Sequence, residues 1–366
     1  WPKMKIPSLS ELVSSVVNPS NPIGMRMRAA YYLRSIFRQE EEKEENSKES
    51  DNEKQKQDKI VVALAQGLHD ERQGSLMRHE FAYVMGHLRD DRCCPALEEA
   101  LRRNDDCVMV RHEAAEALGA IGASRSVQVL NEVMNSNIPV ELSETCQISL
   151  DVMTWRENGG NAAEMPAACA CMLNPYSSLD PAPPHPSHAN MTMPELGKIL
   201  GDSSSPLFQR YRAMFSLRNF GGEDAVQELC RVLVEDDSSA LLRHEVAYVL
   251  GQMQHPSCVE ALEQSLRRTR EHTMVRHESA EALGAIDGRW DVVEPILNEF
   301  IKDEDDVVRE SCMVALDAAD YWRHEDSNEN NDDENVVAVP ANAESSFARA
   351  KAKSKPILQN HFNLVA

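Results

Sequence analysis

Internal repetition is the feature that most constrains what this chain can fold into. Residues 75–122 align without gaps on residues 240–287, at a constant offset of 165, and 27 of the 48 positions are identical. LMRHEFAYVMG (76–86) matches LLRHEVAYVLG (241–251), LEEALRR (97–103) matches LEQSLRR (262–268), and MVRHEAAEALGAI (109–121) matches MVRHESAEALGAI (274–286). Each half also repeats within itself, because His79 and His112 lie 33 residues apart, as do His244 and His277. Weaker copies flank these blocks. MRMRAAYYLRSI (25–36) and QRYRAMFSLRNF (209–220) precede them, and ETCQISLDVMTW (144–155) and ESCMVALDAADYW (310–322) follow. A unit of this length holds two short helices and cannot bury its apolar face alone, so units must stack. The expected fold is therefore all-α: an α-solenoid of helical hairpins, in two pseudo-symmetric halves of four repeats each.

The rest of the chain divides around these halves. The expected boundaries are 1–155 for the N-terminal half and 195–322 for the C-terminal half. A linker rich in Pro, Ala, Gly and Ser spans 156–194. The acidic run at 39–59 is read as a solvated, unstructured insertion, and 323–366 as a disordered tail. Aromatic residues make up only 5% of the chain, while Ala, Leu and Glu abound, which favours helices over strands. The net charge of −22 disfavours nucleic acid and membrane surfaces and favours basic partners. The best apolar run, IVVALA at 60–65, is far too short to span a membrane. No signal peptide is read before the repeats. Nine cysteines without a framework fit reduced thiols, hence a cytoplasmic protein, and a monomer is expected.

The chemistry lies in the His-Glu pairs. On a helical wheel started at Val110, Ala114, Ala117, Leu118 and Ile121 fall within about 100° as a core stripe. His112 sits near ~200°, Glu113 near ~300° and Glu116 near ~240° on the same wheel, so they share the polar side. Four such pairs, His79-Glu80, His112-Glu113, His244-Glu245 and His277-Glu278, occupy equivalent places. Packing does not demand His-Glu on a polar side. The terminal units read Arg28-Ala29, Glu144-Thr145, Arg212-Ala213 and Glu310-Ser311 at the matching place, so the pair is no part of the generic repeat. His324-Glu325 lies beyond the last repeat and is set aside.

Helices stacked ~8–10 Å apart bring the two pairs of each half onto one surface. The linker lets the halves face each other, which suits two metal ions between them. Imidazole and carboxylate donors without thiolates argue against a structural zinc site and fit iron or manganese with open positions. Four carboxylates balance two divalent cations.

These motifs resemble deoxyhypusine hydroxylase, a family built on HEAT-like repeats in two halves. NPYSSLDPAPP (174–184) and RYRAMFSLRN (210–219) resemble it as well, and the match covers nearly all of 20–322. The resemblance implies a cytosolic, non-haem di-iron monooxygenase acting in hypusine biosynthesis. It would insert one atom of O₂ into the deoxyhypusine side chain of translation initiation factor 5A. It implies two Fe²⁺ ions, ligated by His79, His112, Glu113, His244, His277 and Glu278. Glu80 and Glu245 match catalytic carboxylates tied to the site and to the substrate amine. The acidic insertion, the longer linker with ACAC (168–171), and the tail depart from the family pattern without interrupting an RHE motif.

Tyr83 and Tyr248 follow the first His of each half by four residues, and Glu116 and Glu281 follow the second. On the same helix face as the His, they are candidates to orient the imidazoles. HPSH (185–188) is read as solvated, and Cys93-Cys94 and ACAC lack zinc spacing. The alternative to the enzyme is a non-catalytic repeat scaffold that binds a protein. A bilin lyase-like repeat protein would explain VRxxAAxALGxIG but not the RHE.

Overall fold

The computed structural model describes residues 7–44, 51–160, 174–176, 178–286 and 288–329. Among the described residues sixteen α-helices have described bounds, and there is no strand. They form eight hairpins, each an outer helix followed by an inner one. In the first half the pairs are α1 (Leu9–Val17) with α2 (Ile23–Glu44), α3 (Asp51–His69) with α4 (Ser75–Leu88), α5 (Cys94–Arg102) with α6 (Val108–Ile121), and α7 (Ser126–Met134) with α8 (Val140–Glu157). In the second they are α9 (Met193–Gly201) with α10 (Leu207–Phe220), α11 (Glu223–Glu235) with α12 (Ala240–Met253), α13 (Val259–Arg267) with α14 (Thr273–Ala285), and α15 (Trp290–Phe300) with α16 (Asp306–Glu329).

The inner helices stack α2–α4–α6–α8 and α10–α12–α14–α16, and each stack continues into the other. α8 packs on α10 and α12, while α16 packs on α2 and α4, so the eight hairpins close into a ring. The seams are polar. Ser239 Oγ donates to Glu144 Oε2 at 2.7 Å, and Arg28 pairs with Asp317.

The Ala- and Gly-rich inner helices are what allow this ring to be tight. A Cβ at Gly86 would stand 2.9 Å from Ala117 Cα, and one at Gly119 would stand 2.9 Å from Ser149 Cα. Neighbouring backbones thus approach closer than larger side chains permit. The Arg of the RHE motif ties its hairpin together, by one shared bond in three of the four copies and in Arg243 by Nη1 donating to Asp236 O at 3.0 Å. Nε of Arg78, Arg111 and Arg276 donates to the carbonyl oxygen ten residues back, Leu68, Leu101 and Leu266, at 2.7, 3.0 and 2.9 Å. These carbonyls end the preceding outer helices and have no partner within them. Arg78 and Arg276 also pair with Asp106 and Asp303 in the next hairpin's turn. Arg210 donates in the same way to Leu200 at 2.7 Å. It is therefore the counterpart of Arg78, and the residues in the place of His-Glu in the fifth hairpin are Tyr211 and Arg212, not Arg212 and Ala213. The motif thus divides its labour: Arg builds the repeat, and His and Glu face the ring's centre.

Three segments differ from the expectation drawn from composition. The acidic run is not wholly unstructured, since α2 runs to Glu44 and α3 begins at Asp51; residues 45–50 lie outside the described residues. Glu, Lys and Gln are good helix formers, and charge alone does not unwind a helix that its neighbours nucleate. α16 likewise continues to Glu329, while 330–366 and ACAC lie outside the described residues. His188 of HPSH is buried, its Nδ1 2.7 Å from Ser216 Oγ. Among the described residues no helix is long and apolar enough to cross a membrane.

Candidate metal centre

The ring closure brings the four repeated histidines together. Ring centroids are 6.0 Å apart for His79–His112 and 5.4 Å for His244–His277 within the halves. Across the halves they are 5.2 Å apart for both His79–His277 and His112–His244. The helical wheel placed these imidazoles on the polar side of each helix. That side is not solvated: His112 and His277 are fully buried, because each half covers the polar side of the other.

Each half offers two imidazoles and a carboxylate. In the first, Glu113 Oε2 lies 3.2 Å from His79 Nε2 and 3.6 Å from His112 Nε2. In the second, Glu278 Oε2 lies 3.6 Å from His244 Nε2 and 4.0 Å from His277 Nε2. Donor atoms of His79, His112 and Glu113 all fall within 4.8 Å of one another, as do those of His79, His244 and His277.

The chemistry of this donor set fits a metal. All four Nε2 atoms are buried with no hydrogen-bond partner. Leaving four such atoms unsatisfied at one point is costly, and a cation that accepts their lone pairs removes the cost. The metal-free cluster is also electrostatically frustrated. Burial, then Glu245, pushes Glu116 well above the ordinary carboxylate range; burial, then Glu281, does the same to Glu278. Burial pushes His112, His244 and His277 well below the ordinary imidazole range. Burial opposes charge on His79 too, yet Glu113 and Glu80 outweigh it and raise its pKa. Cations would relieve the mutual repulsion of these carboxylates.

Glu80 and Glu245, equivalent in sequence, stand in different surroundings. Glu80 Oε1 is 3.1 Å from His79 Nδ1, the ring nitrogen turned away from Glu113, and Oε2 accepts a hydrogen bond from the Tyr31 hydroxyl. The counterpart of Tyr31 at offset 184 is Phe215, which has no hydroxyl. Glu245 is buried, and its pKa is raised to about 8 by that burial and by Glu113 and Asp180.

Beside the histidines lies a cavity of about 60 Å³. Glu80, Glu116, Glu245 and Glu281 line it, with His87 and the linker residues 178–181. This part of the linker is a wall of the site. Asp180 accepts two hydrogen bonds from Arg218, at 2.8 and 2.6 Å, and Arg212 Nε donates to Pro183 O at 2.8 Å.

The four residues expected to orient imidazoles fare differently. The hydroxyls of Tyr83 and Tyr248 meet at 3.1 Å across the halves, and the Tyr83 ring packs on His87 at 4.5 Å. Glu281 stands 3.8 Å from His277 Nδ1. At His112 the nearby oxygen is that of Thr145, 3.0 Å from Nδ1, while Glu116 lines the cavity. Sequence reasoning passed over Tyr31, Thr145 and Asp180. Thr145 lay within view, since it occupies the place of the repeated pair in the fourth unit.

Comparison with known proteins agrees with this architecture. A family model for HEAT repeats matches residues 61–149, 193–270 and 233–317. Deoxyhypusine hydroxylase of Xenopus laevis is 38% identical over 317 residues, covering 87% of this chain and 91% of that protein. The same enzyme of Mus musculus is 39% identical over 85% of this chain and 91% of its own length. The solved structure of human deoxyhypusine hydroxylase in complex with glycerol superimposes with a TM-score of 0.71 at 38% identity, covering 86% of this chain and 96% of that one. With its ring of eight hairpins and its paired histidine–carboxylate centre, this chain belongs to the deoxyhypusine hydroxylase family.

Proposed function

We propose that this chain is a cytoplasmic non-haem di-iron monooxygenase that hydroxylates the deoxyhypusine side chain of translation initiation factor 5A. The observation that carries the reading is the meeting of four buried imidazole Nε2 atoms, two from each half, with Glu113 and Glu278 beside them and a carboxylate-lined cavity next to them. His79, His112 and Glu113 would hold one iron, and His244, His277 and Glu278 the other. When bound, the two irons supply the activation of O₂ and the oxidation of the carbon–hydrogen bond. One oxygen atom enters the side chain and the other leaves as water, which requires two electrons and two protons from an external reductant.

The protein's own groups do the rest. Glu80, fixed by the Tyr31 hydroxyl, orients His79 through Nδ1 and keeps its Nε2 toward the metal. Glu245, in whose half Phe215 takes the sequence place of Tyr31, lacks that hydroxyl's hydrogen bond and serves the cationic substrate chain. Glu116, Glu281 and Asp180 line the path and add to the attraction for a polyamine-like side chain. Arg218 fixes Asp180 in place, and the Tyr83–Tyr248 bridge keeps the halves in register over the cavity. The ring closes within one chain, so a monomer suffices. A protein-binding scaffold has no use for the buried ligand set and is the weaker reading.

The test is metal content of the purified protein, an absorption spectrum in air, and hydroxylation of the deoxyhypusine-bearing factor. About two irons per chain, with turnover, is the expected result. No bound iron and no uptake on anaerobic reconstitution would overturn the reading.

A further inference from the structure

We propose that Thr145 is a positioning residue that fixes the tautomer of His112. Through it, the first-half metal position is preformed and fills before the second. This rests on the di-iron reading and deepens it.

Thr145 is buried in α8 and packs behind His112. Its hydroxyl donates to Glu141 O at 2.8 Å, one turn back in the same helix. With that hydrogen committed, the Thr145 oxygen can only accept from His112 Nδ1, 3.0 Å away. His112 must therefore carry its proton on Nδ1, and Nε2 presents a lone pair to the cavity before any metal arrives.

The second half lacks this arrangement. Ser311, the counterpart of Thr145 at an offset of 166, donates instead to Glu281 Oε1 at 3.1 Å. The Glu281 carboxylate then stands 3.8 Å from His277 Nδ1, beyond hydrogen-bond reach, and that nitrogen has no hydrogen-bond partner. Nothing fixes the tautomer of His277 in advance. The donor distances agree: Glu113 lies 3.2 and 3.6 Å from its two imidazoles, Glu278 3.6 and 4.0 Å from its own. The first position is assembled, while the second has to close on its ion.

The experiment is an anaerobic Fe(II) titration of the metal-free full chain, read by equilibrium dialysis for stoichiometry and affinity. Wild type should take up two irons in two phases. Thr145→Val, which keeps the shape and loses the hydroxyl, should weaken the tight phase about 10- to 100-fold. Thr145→Ser should restore it. His277→Ala should keep the tight phase and lose the weak one, and Ser311→Ala should leave the tight phase unchanged. Two unchanged phases in Thr145→Val, or a tight phase lost in His277→Ala, would overturn the proposal. Wild type that binds no iron at all would instead remove the di-iron reading beneath it.

Discussion

The two halves of the ring carry nearly the same motifs and surround them differently. In the first half, Glu80 is held between the Tyr31 hydroxyl and His79 Nδ1. In the second, Phe215 stands where Tyr31 does, and Glu245 keeps its place in the cavity wall without that hydroxyl. The Thr145 hydroxyl takes up His112 Nδ1, whereas Ser311 turns to Glu281 and away from His277. Duplication supplies a symmetric ligand set. Single-copy residues around it then give equivalent carboxylates unequal work. On the proposed reading both halves hold metal, but Glu80 serves the metal position of its half while Glu245 serves the cationic substrate chain.

The strongest test of the shared part is the loss of one ligand. His79 packs against all three other imidazoles, with centroids 6.0, 6.5 and 5.2 Å away. His79→Ala should lower turnover by at least the ~100-fold that losses in the outer shell of a metal site can reach. It should also strip most of the iron, read by elemental analysis. Retained iron with full activity would show that the halves do not share one centre.

The next test separates the equivalent carboxylates. Glu245→Gln should keep its iron and raise KM for the protein substrate. A charge-assisted hydrogen bond contributes about 1.5–3 kcal/mol, or roughly 10- to 100-fold. Glu80→Gln should instead lower iron affinity, with KM little changed. If both variants lose iron alike, the asymmetry set by Tyr31 and Phe215 is without consequence.

How far this was legible in the sequence follows from the same asymmetry. The 33-residue spacing and the constant offset disclose the hairpins, their stacking and the eight motif residues, because repetition makes a weak local signal visible several times over. What the repeat does not copy stays hidden. Tyr31 and Thr145 belong to flanking units, and Asp180 lies in a proline-rich stretch that reads as a spacer. A wheel drawn on one helix shows that His112 leaves its own core; it cannot show that another polar side covers it. Composition misleads at 39–59, where a charged run is compatible with both solvation and helix. The Arg before each His-Glu pair recurs in the sequence without showing its task, and the bonds of Arg78, Arg111 and Arg276 to Leu68, Leu101 and Leu266 assign it to the repeat.

A smaller, global effect should appear in the pH dependence of the metal-free protein. Glu116, Glu245 and Glu278 have folded pKa values above the ordinary 4.5, that of Glu245 at about 8. Their contribution to stability is fully present below 4.5 and is lost as pH rises through the folded values. His79, raised above 6.5, acts in the same direction. His112, His244 and His277 are lowered, so they penalise folding only in acid, and that effect ends near 6.5. Above about 6.5 all remaining contributions have one sign, and stability should fall toward pH 8. The slope is about 1.4 kcal/mol per pH unit for each proton lost. Bound cations should flatten it. Calorimetric Tm with chelator and with Fe(II), from neutral to mildly alkaline pH, measures the difference; parallel curves would mean the carboxylates do not feel the metal.

The smallest effect compares the two seams of the ring. At one, Ser239 caps α12: its Oγ accepts from Leu242 N at 3.0 Å and donates to Glu144 Oε2 at 2.7 Å. At the other, the equivalent residue before α4 is Gly74, at φ +82°, facing Glu310. Both seams set a carboxylate against a helix N-terminus, where the helix dipole favours it. Only one adds a side-chain cap. Ser239→Ala should therefore cost about 1 kcal/mol, a Tm loss of roughly 2 °C. Gly74→Ser should not return the same amount. A side chain has room there, with Glu310 Oε2 at 3.5 Å, but at φ +82° an L-residue is strained and the strain offsets the new cap. A Gly74→Ser variant more stable than wild type by the full amount lost in Ser239→Ala would show that the seams differ in sequence alone and not in backbone.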